Sequence, residues 1–352
     1  MGERVRGAIV AAIRDHGPIS FAEFMELALY GSEGYYERPP VGGEGDFVTS
    51  PHIHPVFGRL LGDAIRELHE ALGAPKPFRV QEVGGGDGTL ARQLLDALGD
   101  LTMDYLAVER SSGAREALKG ADRVRTDTRL EGGAHVVLAH ELLDNLPFRR
   151  VRRTEDGPKE VRVGADRQGR LVEVSVEAGE DLRAAANGLE VGEETVQPDG
   201  ALRFVEDVAA ALERGYALVI DYGGLGGPGG EVHGYRGHGL VEDVLANPGE
   251  TDVTSGVDFG LVTEHARRHG LVAFPTVTQR QVLTSLGFQR WMVQELGRQV
   301  DLSGGGDGAG AVRVWSARSR ASLLVDPSAL GRHRWLLLAT PGLPAPGWLQ
   351  RS

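Results

Sequence analysis

The sequence predicts an α/β protein with a mainly parallel sheet, and three observations carry that reading. From residue 78 onward, strand-like apolar runs (FRVQEV, MDYLAVER, HVVLAHELLDNLP, YALVIDYGG) alternate with helix-length segments (TLARQLLDAL, SSGAREALKG, ALRFVEDVAAALERG). That alternation implies β-α-β units. The first of these strands ends in a glycine-rich loop, Gly84-Gly85-Gly86-Asp87-Gly88, which leads directly into a helix. Residues 149–178 break the rhythm with alternating apolar and polar positions and Asp-Gly and Gln-Gly turns, the pattern of antiparallel strands inserted into a sheet domain.

Taken in order, the chain opens with apolar residues at helical spacing, Val5, Ile9, Ala12 and Ile13, followed by a Gly17-Pro18 break. Ser20 with Glu23 three positions on is a capping box that opens a helix over Phe21–Leu29. Residues 31–55 are turn-rich and aromatic, and a further helix is expected from about Pro55 to Leu72, ended by Gly73 and Pro75. Residues 1–75 therefore read as a helical N-terminal extension, and 76–352 as the sheet domain with a β-rich insertion over about 149–200. The helix over 201–215 feeds the strand YALVIDYGG. Two glycine-rich stretches, 223–230 and 303–311, are expected to be flexible surface loops.

The 352 residues allow one large domain or two ordinary ones, and 41% hydrophobic with 25% charged residues is globular composition. Against 50 acidic residues there are 38 basic ones, a net charge of −12 that argues against non-specific nucleic-acid binding. The absence of cysteine excludes disulfides, thiolate metal sites and cysteine nucleophiles. No apolar run approaches the roughly 18 residues of a spanning helix, and the N-terminus lacks a secretory pattern. A soluble, cytoplasmic protein with no membrane or nucleic-acid partner is expected.

The glycine loop narrows the ligand. Gly84, Gly86 and Gly88, followed by Thr89 at the helix start, let a ligand approach the helix N-terminus without Cβ obstruction. The spacing is not that of a dinucleotide loop, and no Gly-Lys-Ser/Thr follows to bind phosphate. Glu82 just before the glycines also disfavours an anion. A zwitterion fits better, its amino group facing acids and its carboxylate at the helix N-terminus; S-adenosylmethionine has that character. A tight turn without a ligand fits the motif as well. Glu109, about twenty residues on at the end of the second strand, can accept both hydroxyls of an adenosine ribose or stand as an ordinary surface acid. Asp127, near a third strand end, could face the adenine.

With these residues in view, the chain resembles the MidA family of class I S-adenosylmethionine-dependent methyltransferases, which includes a mitochondrial complex I assembly factor that methylates a protein arginine. GPISFAEFMELALYGSEGYY, GDFVTSPHIHPVFG, QEVGGGDGTL, HELLDNLPF, ALVIDYGG, GYRGH, DVTSGVDF and LLVDPSALGRHRWLLLAT echo family segments in the family's order. The chain departs where the family usually has Pro and Arg in place of Gly85 and Asp87, and Asn in place of His140. The resemblance implies a Rossmann-like, seven-stranded, mainly parallel sheet with S-adenosylmethionine as cofactor. It implies that the segment Gly45–Ser50 folds over that cofactor, with Asp46, Phe47, Thr49 and Ser50 near its methionine end. It also implies a protein arginine as acceptor.

Methyl transfer is an in-line displacement, for which a protein supplies alignment, dryness and a proton acceptor. Glu141 and Asp144, after the fourth strand, could hold a guanidinium by charge-assisted hydrogen bonds or serve as caps around Pro147. His140 puts a titratable ring at the expected mouth of the site. His140-Glu141-x-x-Asp144 lacks the second histidine of a zinc protease, and His52 and His54 have no third ligand, so no metal is expected. Asp221 and Tyr222 end strand five, and Tyr235, Arg236 and His238 line the substrate side or are solvated. Three functions stay open: methylation of a protein arginine, methylation of a small molecule or peptide natural product, and a cofactor-binding assembly protein without turnover. A homodimer is compatible with each.

Overall fold

The computed structural model describes residues 2–37, 48–226, 230–237 and 239–352. The N-terminal extension begins with α1 (Gly2–His16), which buries Val5 and Ile9. It continues through β1 (Ile19–Ser20) into α2 (Phe21–Tyr30). The capping box is present: the Ser20 hydroxyl accepts the Glu23 N–H at 3.2 Å, and the Glu23 carboxylate accepts the Ser20 N–H at 2.8 Å. Ser20→Ala should lower stability by about 1 kcal/mol, read as a lower urea midpoint at unchanged slope. After α3 (Ser50–Ile53), α4 (Val56–Ala71) turns Phe57, Leu61, Ile65 and Leu68 inward at helical spacing and gives way at Gly73 (φ +87°).

The sheet domain follows in the expected rhythm: β2 (Phe78–Val83), α5 (Thr89–Ala97), β3 (Met103–Val108), α6 (Ser112–Leu118), β4 (Val124–Asp127) and β5 (Ala134–His140). The insertion is antiparallel, with β6 (Arg149–Thr154), β7 (Gly157–Ala165), β8 (Leu171–Glu177), α7 (Glu180–Ala185) and β9 (Glu194–Gln197). Its two turns are where the sequence puts them, at Gly157 (φ +111°) and Gly169 (φ +77°). Next come α8 (Asp199–Ala211) and β10 (Leu212–Asp221). Short strands succeed them: β11 (Gly223–Gly224), β12 (Val232–Arg236), β13 (Gly239–Val241), β14 (Asp252–Ser255) and β15 (Val257–Asp258). The chain closes with α9 (Phe259–Arg268), β16 (Val272–Ala273), β17 (Val277–Thr278), α10 (Gln279–Ser285), α11 (Phe288–Gly304), α12 (Gly308–Ala321), β18 (Arg334–Ala339) and α13 (Gly347–Gln350).

The main sheet runs β16-β18-β10-β5-β2-β3-β4, with β17 also on β18. The neighbours from β10 to β4 are parallel, and β18 is antiparallel. β16 and β17 both pair with β18, so eight strands occupy the seven expected positions. Pro275 lies between them and has no N–H to continue a ladder. Strand order reverses at β2, with β3 on one side and β5 on the other. Such a switch point opens a crevice at the strands' carboxyl ends.

Two expectations are corrected. The helix of 201–215 stops at Ala211, and Leu212–Gly215 already belongs to β10, where sheet pairing overrides helical propensity. Residues 303–311 are not a loop. α11 runs to Gly304 and α12 starts at Gly308, with Asp307 accepting the Gly310 N–H at 2.8 Å as a cap. In the other glycine-rich stretch, Gly223 pairs with Val257 so closely that a Cβ would lie 2.0 Å from its carbonyl oxygen.

Both sheet faces are covered. Phe57, Leu61, Leu94, Tyr216 and Trp335 fill one core, and Val137, Val205, Val208, Phe259 and Leu336 the other. A third core joins Ile9, Phe21, Phe24 and Met25 to Phe148 and Val163 of the insertion, and β1 pairs with β7. The extension is thereby fixed beside the carboxyl ends of the parallel strands.

Candidate active site

The loop after β2 needs its glycines. Gly84, Gly86 and Gly88 have φ of +76°, +52° and +76°, a left-handed run that side chains disfavour. Added Cβ atoms would lie 3.0 Å from Leu142 at Gly84 and 2.8 Å from Leu118 at Gly88. Gly84 donates its N–H to the Val108 carbonyl, which locks the loop against the end of β3.

Glu109 follows β3 directly. Its carboxylate accepts the Gly86 N–H at 3.3 Å and the Ser111 N–H at 3.0 Å. Burial raises its pKa against the pull of these bonds. Each carboxylate oxygen keeps a lone pair for a further donor. A cavity of about 700 Å³ opens here, lined by Gly84, Glu109, Thr128, Leu142, Phe204 and Tyr30 among others. Arg110 stands over the Tyr30 ring and pairs with Glu26 at 2.7 Å, tying α2 to the rim.

Other expected cofactor residues lie elsewhere. Glu82 does not line the cavity wall; it is buried among the core strands, accepts the Tyr105 hydroxyl at 2.7 Å, and burial pushes its carboxyl up to about 7. Asp127 is solvent-facing and spends its carboxylate on the Thr128 and Arg129 N–H groups. Thr89 heads α5, its N–H and hydroxyl both bonded to Asp87. Asp46 and Phe47, like His238, fall outside the described residues. Thr49 is held beside the loop by a chain that sequence reading missed: its hydroxyl meets His52 Nδ1 at 2.9 Å, and His52 Nε2 meets Asp87 at 3.1 Å. Burial alone would raise Asp87, but His52 and Thr89 outweigh it and hold it down at about 2. The departure at Asp87 thus ties the upstream segment to the glycine loop. Ser50 is buried and faces the fourth strand, donating its N–H to Glu141 at 3.3 Å and its hydroxyl to Gln279 at 3.4 Å.

The turn after β5 carries an acidic cluster. Glu141 sits at φ +50°, strained for a non-glycine residue, with its N–H fixed to the Ile220 carbonyl at 2.8 Å. Asp221, fully buried at the end of β10, accepts the N–H groups of Leu142, Leu143 and Asp144 and so shapes the turn. Asp144 is buried beside it, and its Oδ1 has no hydrogen-bond partner among the described residues. Asp252 receives Asn145 Nδ2 at 3.1 Å and the Tyr36 hydroxyl at 2.7 Å. Tyr30, on the cavity wall, donates its hydroxyl to the Asn145 carbonyl at 3.1 Å, so cavity and cluster share a wall. Tyr222 bonds Thr254, while Tyr235 is half-buried and Arg236 exposed.

Mutual repulsion and desolvation dominate the electrostatics. Burial, then the Asp221 charge, pushes Glu141 up to about 8; burial pushes Asp221 up to about 7. Burial, followed by Asp221, Asp252 and Glu141, drives Asp144 well above the carboxylate range. Neither Asp144 nor Asp221 has a cationic partner among the described residues. His140 does not stand at an open mouth. It packs against Phe57 with 6% of its side chain exposed, and burial lowers its pKa to about 3, so the ring 3.2 Å from Glu141 is neutral. Buried acids crowded in this way are held in their protonated forms, and ionisation would need a cation beside them.

The chain is similar to known methyltransferases in sequence and in fold. A family model for S-adenosyl-L-methionine-dependent methyltransferases matches residues 60–277. The mitochondrial protein arginine methyltransferase NDUFAF7 of Danio rerio is 30% identical, over 90% of this chain and 82% of its own. Its Homo sapiens counterpart is 31% identical, over 78% and 71%. A Burkholderia thailandensis protein crystallised with S-adenosyl-homocysteine superposes with a TM-score of 0.87 at 26% identity, covering 99% of this chain and 94% of that one. A native crystal structure from the same organism gives 0.83 at 27%.

Proposed function

The chain belongs to the family of S-adenosyl-L-methionine-dependent methyltransferases, and from that membership we propose that its acceptor is a guanidinium nitrogen of a protein arginine, held by Glu141 and Asp144. The observation that carries the proposal is the buried Asp144 Oδ1, unpartnered among the described residues within a cluster of acids. The names of the NDUFAF7 relatives support it, and the net charge of −12 favours encounter with a basic partner.

The cavity suits the cofactor: the left-handed glycine loop leaves the backbone uncovered, and Glu109 faces a space of about 700 Å³. Glu109 would accept the ribose hydroxyls, and the loop's N–H groups with the α5 N-terminus would receive the carboxylate. Bound there, S-adenosyl-L-methionine supplies an electrophilic sulfonium methyl. The protein's part is to aim the acceptor and to take a proton. Glu141, as carboxylate, would accept one guanidinium N–H and Asp144 Oδ1 another, turning a nitrogen lone pair toward the cavity. A new N–CH₃ bond on a guanidinium releases one proton. Glu141, with its carboxyl near 8, can hold that proton on its carboxylate at neutral pH.

The test is mass spectrometry of proteins from cells with and without the gene, followed by single-turnover transfer to the protein that differs. Methylarginine that disappears with the gene supports the proposal. Methyl groups only on oxygen, carbon or a small metabolite overturn the acceptor, and tight cofactor binding without turnover on any candidate overturns the activity. No helix among the described residues is long and apolar enough to cross a membrane. A cytoplasmic location is a proposal, since the named relatives are mitochondrial, and fractionation checks it. Exposed Val293, Val300, Val312 and Trp315 on α11 and α12 support a homodimer, which light scattering tests.

A further inference from the structure

On the surface where α8 meets α9, we propose a zinc-binding site formed by Glu206, His265 and His269. His265 on α9 and His269, the residue that caps its C-terminus, are four residues apart, and their rings lie side by side. Glu206 reaches them from α8, which packs alongside. Its Oε1 lies 3.0 Å from His265 Nε2 and 3.9 Å from His269 Nε2, and the three ligand atoms lie within 4.8 Å of one another. The two rings are tilted at 41° with centroids 4.4 Å apart. Zinc bonds of about 2.0–2.1 Å in tetrahedral geometry need ligand atoms about 3.4 Å apart, within small rotamer adjustments of this arrangement.

The histidine at the rim is already oriented. His269 Nδ1 lies 3.0 Å from the His265 carbonyl oxygen and must donate to it, so in the neutral ring Nε2 is the lone-pair nitrogen, on the side of Glu206. A plain histidine–glutamate hydrogen bond accounts for His265 but leaves His269 Nε2 aimed at the same oxygen beyond bonding distance. A metal ion between them accounts for all three. The competing cation is engaged elsewhere, since Arg268 pairs with Glu264 at 3.2 Å. Glu206 and His269 are exposed, so an ion can enter and water can complete the coordination. Two imidazoles and one carboxylate suit zinc and its transition-metal neighbours rather than magnesium or calcium, which take oxygen ligands. Because α8 also supplies Phe204 and Asp207 to the cavity, a bound ion would clamp one cavity wall to α9.

The experiment uses tag-free, chelator-stripped full-length protein titrated with zinc chloride by calorimetry and with cobalt chloride by visible absorption. Expected are one zinc per chain, cobalt bands of a tetrahedral site, and a melting temperature that climbs with zinc concentration. His265→Ala and His269→Ala should each weaken zinc by at least about tenfold, the loss that follows removal of even an outer partner. Glu206→Gln should weaken it less, since it keeps one oxygen. All three should melt like the parent in chelator, which separates ligand loss from misfolding. No saturable uptake, or undiminished uptake by the His265→Ala/His269→Ala double variant, overturns the site.

Discussion

Glu141→Gln is expected to lower single-turnover methyl transfer by about 10²-fold or more while leaving cofactor affinity near that of the parent. Transfer loses both the charge that positions the guanidinium and the carboxylate that takes the released proton. Cofactor affinity is spared because Glu141 does not line the cavity, whose wall is formed by Gly84, Glu109 and their neighbours. The same variant has a stability signature with a defined sign. In the folded chain Glu141 titrates near 8 against an ordinary 4.5. A raised pKa gives stability that is fully present below the unfolded value and is lost as pH rises through the folded one. Unliganded parent protein should therefore soften between about pH 5 and pH 8, with Glu82 and Asp221, both near 7, adding to the loss. Gln carries no charge to bury, so the variant should be more stable than the parent at pH 8.5, by up to roughly 4–5 kcal/mol, and close to it at pH 5. Binding of an arginine peptide should tighten from pH 7 to pH 8 as the cluster ionises, with proton release visible as a buffer-dependent heat. Transfer within tenfold of the parent would remove Glu141 from the chemistry.

That prediction shows which parts of the site were legible in the sequence. Glu141 and Asp144 stood out because acids within one turn of a strand end are a local pattern. Glycines at 84, 86 and 88 were equally legible, since the need for positive φ is a property of single residues. So was the capping box at Ser20. What stayed hidden depends on contacts between distant segments. Asp221 was visible as a strand end, but not as the acceptor that holds the Leu142–Asp144 turn from 77 to 79 positions away. His52 looked like half of a failed metal site, and its partner Asp87 looked like a departure from pattern; the pair is one contact. Glu82 pointed to the ligand by its place before the glycines. Strand alternation turned it inward to Tyr105 instead, a one-residue matter of register that composition cannot report. The glycines at 303–311 suggested a loop because their count outweighed a single aspartate cap. The His265–His269 spacing has no visible partner until α8 packs against α9 and brings Glu206 across.

Glu109→Ala should weaken cofactor binding by at least tenfold, and nearer a hundredfold if both ribose hydroxyls bond to it. A hydrogen bond to a charged group contributes about 1.5–3 kcal/mol, and 1.4 kcal/mol is a factor of ten in affinity. The carboxylate is pre-set for that duty. The Gly86 and Ser111 N–H groups hold it in place at the cavity wall. Calorimetry with S-adenosyl-homocysteine is the direct measurement, because it reads binding without requiring an acceptor. Removing the side chain also frees the Gly86 N–H, so part of any loss could come from a loosened loop. Glu109→Gln separates the two effects: its amide oxygen can keep one loop bond but offers no charge to the ribose. If both variants lose affinity while melting within a few degrees of the parent, the charge–ribose contact is responsible. If Gln restores full affinity, Glu109 acts only by holding the loop. Unchanged affinity in Ala would place the ribose elsewhere. Gly86→Val then probes the loop itself: no atom of the described residues lies within 4 Å of an added Cβ. Its cost comes from forcing a branched residue to φ +52° and from a side chain set where the backbone should meet the cofactor. A Gly86→Val protein that folds and binds normally would move the cofactor site away from this loop, whatever Glu109 does.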